Sequence, residues 1–199
     1  MEKRKEIRIV IAGCILSLIC LCSCNHEKSD AQKQKEYAEL DARLRQYCDN
    51  KINELYNAYD TIHVDYDKEL DGKMIAFIRN NTYGTTELEY RLNDELKKHN
   101  QFTTDPDSID YVVFLLPHWK TDYYGTSQSS SCSTEMANAY VLDYKTDRIV
   151  KTIKFDEDKN PYVLTVRSRS KYSSVEYKRR LEEEELYNGI VYNMQKYDN

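Results

Sequence analysis

Residues 111–116 read YVVFLL and give the strongest predicted β-strand of the chain. Apolar side chains at every position, rather than at alternate positions, are typical of a strand that is covered on both faces. Asp105-Pro106 predicts a turn ahead of this strand, and Pro117 predicts its end, because proline has no amide hydrogen for a sheet ladder. The fold is therefore expected to be a sheet with this strand inside it.

The neighbouring stretches supply the other strands. Residues 73–79 (KMIAFIR) predict a second strand covered on both faces, and residues 62–67 (IHVDYD) alternate as in a short edge strand. Residues 139–144 and 149–155 flank the turn sequence KTDR and predict a β-hairpin. The serine-rich residues 123–133 predict a mobile loop tip before this hairpin.

Two helices are predicted to pack on the sheet. The mid-chain helix starts at Thr85 or Thr86 and carries leucines at positions 88, 92 and 96 on one face. The C-terminal helix starts at a capping box formed by Ser173 and Glu176 and runs to about residue 197. Its predicted buried face, with helical spacing, consists of Tyr187, Ile190, Val191 and Met194.

Residues 31–60 contain neither glycine nor proline and repeat apolar side chains at helical spacing, which predicts one long amphipathic helix. We expect this helix to pack on its own domain, with a free-standing stalk as the alternative. The predicted fold class is α+β, with a small mixed sheet of about four to five strands in residues 61–199. The mid-chain and C-terminal helices pack on that sheet, and the long helix precedes it.

The first 30 residues predict targeting rather than part of the fold. Residues 9–22 are apolar but span only about 21 Å as a helix, short of the roughly 30 Å hydrocarbon core of a bilayer. They end in Leu21-Cys22-Ser23-Cys24, which resembles the lipobox of bacterial lipoproteins. The resemblance implies that residues 1–23 are a lipoprotein signal peptide, that Cys24 is the lipid attachment site, and that residues 24–30 are a tether.

Two alternatives to this anchor stay open. Ile11-Ala12-Gly13-Cys14 also fits a lipobox, although cleavage there would leave an apolar start to the mature chain. An ordinary signal peptide without a lipid is the other alternative. Acyl chains such as palmitate on Cys24 would hold the protein on a membrane. Asn25 after the cysteine resembles outer-membrane lipoproteins, so we expect the outer membrane, facing either the periplasm or the cell surface.

Composition narrows the classes of function. The 199 residues carry a net charge of −5, and the basic start of the chain leaves the remainder more acidic still. An acidic body repels phosphate backbones, so nucleic acid is not an expected partner. Eighteen tyrosines supply rings that bury their faces while their hydroxyl groups stay hydrogen-bonded.

Catalytic patterns are absent from the sequence. Beyond the anchor, Cys48 and Cys132 either form one disulfide or stay as two free thiols, and all four histidines precede Cys132. Neither a Gly-x-Ser-x-Gly elbow nor a P-loop occurs. We therefore expect no enzymatic activity, with an unrecognised hydrolase as the remaining alternative.

His63, Asp65 and Asp67 share a predicted strand face, where they would suit a divalent metal. A charged edge that prevents strand-to-strand aggregation explains them better. Asp67 also starts an EF-hand-like pattern, which fails at Ile78, where a bidentate glutamate is needed. The sequence therefore predicts neither a metal site nor a cofactor.

The stretch 110–152 (DYVVFLL…AYVLDYKTDRIVKT) is similar to the curli-secretion-type lipoproteins. It also resembles the penicillin-binding-protein activators and the amino-terminal domain of the Tol-system propeller protein. Those relatives pair a DYV strand with a hairpin at a Lys-Thr-Gly-like tip, whereas this chain has Asp147 at the glycine position. The resemblance covers roughly a hundred residues and implies a non-catalytic assembly or binding module.

Four side chains after the central strand are the best candidates for recognition. They lie where a sheet edge is expected to open toward loops, and their rings suit stacking on a sugar or on a partner's side chain. Rings that cap the core at a strand end are the simpler explanation. The four candidates are His118, Trp119, Tyr123 and Tyr124.

The sequence as a whole predicts a lipid-anchored envelope protein that binds another envelope protein without catalysing a reaction. The alternative from a different class is a glycan-binding protein that uses Trp119, Tyr123 and Tyr124. Asp60-Thr61-Ile62 and Asp107-Ser108-Ile109 also resemble the acceptor triplet of periplasmic O-glycosylation.

Overall fold

The computed structural model describes residues 29–58, 62, 64, 69–124, 130–155 and 175–192. The chain divides into two compact units, residues 1–33 and residues 34–199. In the first unit, the carbonyl of Ser29 accepts hydrogen bonds from the amides of Gln32 and Lys33. In chain order the elements are α1 (Asp30–Ala38), α2 (Ala42–Asn57), β1 (Met74–Arg79), β2 (Thr86–Leu88), α3 (Tyr90–Lys98), β3 (Tyr111–Tyr124), β4 (Ser130–Asp143), β5 (Arg148–Phe155), β6 (Val175–Arg179) and α4 (Glu183–Val191).

One mixed sheet contains all six of these strands. Its order is β2-β1-β3-β4-β5, and β6 pairs with the start of β4. β1 runs parallel to β3, with Met74 opposite Tyr111 and Ile78 opposite Leu115. β6 runs parallel to β4, and the other neighbouring strands are antiparallel. The predicted α+β class, with a mixed sheet and packed helices, is confirmed.

Alternate side chains of β3 enter two separate cores, one on each face of the sheet. Val113 and Leu115 pack in the core that includes α3 and α4. Val112, Phe114 and Leu116 pack in the core that includes α2. The helices contribute Leu92, Leu96, Leu186, Tyr187, Ile190 and Val191 to the first core, and Leu44, Cys48, Ile52 and Leu55 to the second.

The helix predicted over residues 31–60 is two helices, α1 and α2. The chain leaves the helical conformation before Asp41, whose carboxylate accepts a hydrogen bond of 2.8 Å from the amide of Arg43. An aspartate that bonds a first-turn amide stabilises a new helix start, which explains the break without glycine or proline. The Tyr37 hydroxyl donates to Asp49 across the break. α2 packs on the sheet rather than standing apart as a stalk.

The predicted start of the mid-chain helix at Thr85 or Thr86 is wrong, because a short strand takes that place. Leu88 of β2 lies opposite Phe77 of β1 and enters the α2 core, not the core that contains Leu92 and Leu96. Helix α3 begins at Tyr90, and the Glu89 carboxylate caps it by accepting from the amide of Arg91. Leucines at every fourth position predicted a single helix face. Leu88, the first of them, instead pairs with β1, and only Leu92 and Leu96 belong to the helix.

The predicted capping box at Ser173 and Glu176 does not start the last helix. Residues 175–179 form β6, parallel to residues 130–134 of β4, and α4 begins only at Glu183. The pairing with β4 satisfies backbone groups that a helix would have satisfied internally. Tyr187, Ile190 and Val191 form a buried face as predicted, whereas Ser173 and Met194 lie outside the described residues.

Pro117 does not end β3, which continues to Tyr124. The amide of Tyr144 donates to the carbonyl of Asp110, so the even-numbered residues of β3 direct their backbone groups toward β4. The carbonyl of Pro117 points the other way and accepts from the Asn81 side chain. The nitrogen of Pro117 therefore faces the side where β1 has ended, and the ladder with β4 loses no hydrogen bond.

The serine-rich loop tip predicted at residues 123–133 is shorter than expected. β3 includes Tyr123 and Tyr124, and residues 130–133 belong to β4, where they pair with both β3 and β6. Residues 125–129 lie outside the described residues. Most of the edge strand predicted at residues 62–67 also lies outside them, but Val64 pairs through its backbone with Thr152 of β5.

The predicted hairpin is confirmed, with β4 ending at Asp143 and β5 starting at Arg148. Asp147 in its turn has φ +54°, a left-handed conformation that glycine adopts freely and aspartate tolerates. Its carboxylate accepts from the Tyr47 hydroxyl at 2.8 Å and from the Lys51 amine at 2.9 Å. These two bonds join the hairpin to α2. A glycine at this position has no side chain and could not form them.

Replacing Gly189 with alanine is expected to destabilise the protein, although alanine usually stabilises a helix relative to glycine. A Cβ atom at this position of α4 would lie 2.7 Å from Cε1 of Phe155. The clash should lower the free energy of unfolding by about 1–3 kcal/mol. Urea denaturation of G189A beside N188A on the same helix measures this effect. Equal or greater stability of G189A would contradict the close packing of α4 on β5.

Replacing Lys151 with methionine is expected to change how stability depends on pH. The Lys151 amine is fully buried and donates to the carbonyls of Gly189 (3.2 Å) and Ile190 (2.6 Å), and burial lowers its pKa to about 8. Between this pKa and the usual value near 10.5, the unfolded chain holds a proton that the folded chain has lost. Stability of the wild type therefore rises with pH in that window.

Between pH 7 and pH 10, the free energy of unfolding of the wild type should rise by about 2 kcal/mol relative to that of K151M. Paired urea denaturations at both pH values measure this gain, and other titrating groups cancel in the difference between the two proteins. A constant difference would show that the amine of Lys151 titrates normally.

Candidate functional site: the exposed end of strand β3

Strand β3 extends beyond its neighbour β1. The pairing between these strands stops at Leu115, whereas β4 follows β3 from Tyr111 to Tyr124. Residues 117–124 therefore have β4 on one side and, within the described part of the chain, no strand on the other. We call residues 117–124 the exposed strand end.

The four predicted recognition residues all lie on the exposed strand end, but they do not form one cluster. Successive side chains of a strand point to opposite faces, so Trp119 and Tyr123 share the face of Val113 and Leu115. His118 and Tyr124 point to the other face and are half-buried. Trp119 is 43% exposed and Tyr123 is 62% exposed, so neither ring caps the core.

The two exposed rings are held at a fixed spacing. Trp119 and Tyr123 are four positions apart in an extended strand, which places their Cα atoms about 13 Å apart. Thr121 lies between them on the same face, and its hydroxyl is 2.8 Å from the hydroxyl of Ser133 on β4. This cross-strand contact fixes the middle of the exposed surface.

Along the exposed strand end, the backbone amides and carbonyls of successive residues point to opposite edges of the strand, as those of Asp110 and Pro117 do. Because even-numbered residues bond to β4, the amides and carbonyls of Trp119, Thr121 and Tyr123 point to the open edge. An open edge that offers several amides and carbonyls can receive an added strand. The sequence did not predict this edge, because Pro117 was expected to end the strand.

A buried ion cluster supports the strand beside Trp119. Glu135 of β4 lies opposite Trp119 and accepts two hydrogen bonds from Arg91, of 2.7 and 3.1 Å. Arg91 donates two further bonds to Glu89 and one to the carbonyl of Leu181. The Glu89 and Glu135 side chains are only 4% and 7% exposed. The cluster therefore joins α3, β4 and the segment before α4.

Burial alone would lower the pKa of Arg91, but its hydrogen bonds to Glu135 and Glu89 outweigh burial and raise the pKa above its usual value. The guanidinium therefore stays charged and compensates two buried carboxylates. The amide of Leu181 donates the remaining bond to Glu135. The cluster is structural, since its hydrogen-bonding groups are directed at one another.

A polar cleft of about 380 Å³ lies where β1 and β3 begin, near the ends of α3 and α4. The Tyr187 ring stacks on His99 at 4.3 Å between centroids, and its hydroxyl donates to Gln101. The hydrogen bond from the Lys73 amide, with a contribution from Lys145, lowers the pKa of Asp110 despite some burial. The described lining residues are Asp71, Gly72, Lys73, His99, Asn100, Gln101, Asp110, Tyr187 and Tyr192.

The chemistry of this cleft is limited. Its described lining includes neither serine, threonine nor cysteine, so no alcohol or thiol nucleophile of these types faces it. Asp110 is already held by Lys73 and Lys145, and the Lys73 amine donates to the carbonyl of Asn100. The cleft can accept a small polar molecule, but the Asp110 carboxylate and the Lys73 amine already have hydrogen-bond partners.

The remaining predicted site residues give a mixed outcome. Cys48 and Cys132 are buried and are not joined to each other, so the alternative of a disulfide between them is wrong. Burial raises the pKa of the Cys48 thiol. Ser108 is exposed, and its hydroxyl donates to Asp105. Cys24, Thr61, His63, Asp65 and Asp67 lie outside the described residues.

No cluster of three or more metal-binding side chains occurs among the described residues. None of the helices within the described ranges is long and apolar enough to cross a bilayer. Comparison of the chain with family models, with curated proteins and with solved structures found no match.

Replacing Arg91 with methionine is expected to lower the free energy of unfolding by about 3–5 kcal/mol, because it leaves two buried carboxylates without a cation. R43M is the matched control, since Arg43 pairs with Asp41 in an exposed ion pair whose loss should have little effect on stability. Urea denaturation at pH 7 measures both variants. Equal losses for R91M and R43M would contradict the structural role of the cluster.

Proposed function

We propose that this chain is a lipid-anchored protein of the cell envelope that acts as a non-catalytic binding or assembly module. The exposed strand end is its recognition surface, and the partner is an envelope protein. The observation that carries this proposal is the coincidence of an open strand edge with two exposed rings, Trp119 and Tyr123, on one face. Backbone bonds at an added strand supply affinity, and side chains beside it supply specificity.

The anchor part of the proposal is supported by the sequence. Leu21-Cys22-Ser23-Cys24 resembles a lipobox, and an acylated Cys24 would hold the amino end on a membrane through its lipid chains. Two acyl chains or more make such attachment effectively permanent. The protein would then meet its partner on or beside that membrane, and we place it at the outer membrane.

The non-catalytic part is supported by the position of the thiols. Cys48 and Cys132 are fully buried, and a thiol that solvent cannot reach cannot attack a substrate. The charged groups with the strongest interactions, Arg91 with Glu89 and Glu135, stabilise the fold. The exposed strand end itself offers rings, hydroxyl groups and backbone, which are groups suited to binding.

A glycan is the second candidate ligand, because Trp119 and Tyr123 are exposed on one face at a spacing that suits separate sugar rings. His118 and Tyr124 point to the other face and would not contribute to that contact. A glycan array probed with the wild type and with Trp119→Ala distinguishes the two candidates. Binding that W119A abolishes would favour a glycan, and no binding by either protein would remove this candidate.

Placing a photo-crosslinking amino acid at Tyr123 of the full-length chain in cells is expected to give one discrete protein adduct. Trp119→Ala in the same chain should lower the adduct yield about tenfold, since an exposed tryptophan at the centre of an interface commonly dominates binding. Tyr83→Ala is the matched control, because Tyr83 is 66% exposed but lies in the turn after β1.

Immunoblots of the irradiated envelope fraction measure the yield. If no protein adduct forms, or if W119A and Y83A reduce it equally, the exposed strand end is not the recognition surface. Metabolic labelling with a palmitate analogue, with Cys24→Ala as its control, tests the anchor separately.

A further inference from the structure

We infer that the partner of the exposed strand end is a second copy of this chain, paired with it edge to edge in antiparallel orientation about a two-fold axis at Thr121. This inference rests on the proposed function, since it names the partner of the same surface. Two copies joined in this way share one continuous sheet, in which β3 of each copy lies beside β3 of the other. Such an interface is isologous, because each copy contributes the same residues.

The backbone geometry allows this pairing. The outward amides and carbonyls belong to the odd-numbered residues Trp119, Thr121 and Tyr123. Antiparallel pairing centred on Thr121 places each of these residues opposite an odd-numbered residue of the partner. Every outward amide in this stretch then meets an outward carbonyl, and the bonds between β3 and β4 are undisturbed.

The side chains match in the same register. Trp119 lies opposite Tyr123 of the partner subunit, so an aromatic pair forms on each side of the axis. On the other face of the sheet, Lys120 lies opposite Asp122 of the partner subunit, so two opposite-charge pairs form. The sequence WKTDY over residues 119–123 is therefore self-complementary when two copies run antiparallel.

Charge selects this register over its neighbours. An axis at Lys120 would place two lysines directly opposite each other, and an axis at Asp122 would place two aspartates opposite each other. An axis at Trp119 would place Thr121 of the partner opposite Pro117, which has no amide to donate. Of the registers near the centre of the stretch, only the one at Thr121 combines all the backbone bonds with attraction between side chains.

The interface is short, so it is expected to form where the chain is concentrated. An anchored protein is confined to a membrane surface, and confinement raises the effective concentration of one copy around another. The experiment therefore uses the full-length chain in the envelope of the cells that make it.

Cysteine cross-linking tests the register. Thr121→Cys places two thiols on the axis, where the Cα atoms of a hydrogen-bonded antiparallel pair lie about 5.5 Å apart. A short bifunctional thiol reagent should convert T121C to a cross-linked dimer. Asn53→Cys is the control, since Asn53 is exposed and lies on α2, outside the proposed interface. The N53C chain should give no more cross-linked dimer than the wild type.

Charge exchange tests the side-chain pairing in the T121C chain. Lys120→Asp alone or Asp122→Lys alone places like charges opposite each other at two positions, and each should lower the dimer yield about tenfold. The double exchange K120D/D122K restores opposite charges and should restore the yield. Circular dichroism of the purified variants checks that all of them fold.

The inference is overturned if T121C gives no more dimer than N53C, if single exchanges leave the yield unchanged, or if the double exchange does not restore it. If the Tyr123 photoprobe captures only a different protein, self-pairing is wrong while the proposed function stands. If neither probe captures any protein, both fall.

Discussion

The direction of the backbone groups along β3 determines most of this structure. Even-numbered residues bond to β4 over the whole strand, whereas odd-numbered residues bond to β1 only as far as Leu115. The first half of β3 is therefore an interior strand with a core on each face. The second half has the same ladder to β4, and its other edge has no neighbouring strand among the residues that the structure describes. One strand thus joins the folded core to the proposed recognition surface.

Buried charged side chains connect the helices to the sheet. Arg91 holds Glu89 and Glu135 below the surface, and Lys151 donates its amine to the last turn of α4. Isolated buried charges would be very costly, but each of these has hydrogen-bonded partners from a different element. A cation at a helix carboxyl end is also favoured by the helix dipole. These bonds fix how the helices sit on the sheet more specifically than apolar contact does.

Sequence patterns predicted the parts of the fold that depend on local periodicity. The continuous apolar runs at residues 73–79 and 111–116 correctly indicated strands covered on both faces, and KTDR correctly indicated a hairpin turn. Patterns failed where pairing with another strand decides the outcome. Leu88 fits a helix face, yet pairing with β1 makes it part of β2, and residues 175–179 became a strand because β4 offers a free side there.

The candidate site, too, could be predicted only as far as local sequence patterns allow. The sequence indicates Trp119 and Tyr123 as rings that follow the central strand. It does not separate them from His118 and Tyr124, because the face that each side chain takes depends on the strand continuing past Pro117. The effect of Pro117 cannot be predicted from local sequence either, since it depends on which side of the strand has a neighbour. The buried cluster of Arg91, Glu89 and Glu135 joins residues far apart in sequence, and no local pattern marks it.

Amide hydrogen exchange along residues 118–123, followed by NMR in dilute and in concentrated protein, tests the alternating edge most directly. In dilute protein, the amides of Trp119, Thr121 and Tyr123 should exchange faster than those of His118, Lys120 and Asp122, and concentration should slow the first set alone. Equal protection of both sets at every concentration would show that this edge is already covered within the chain, and would contradict the account.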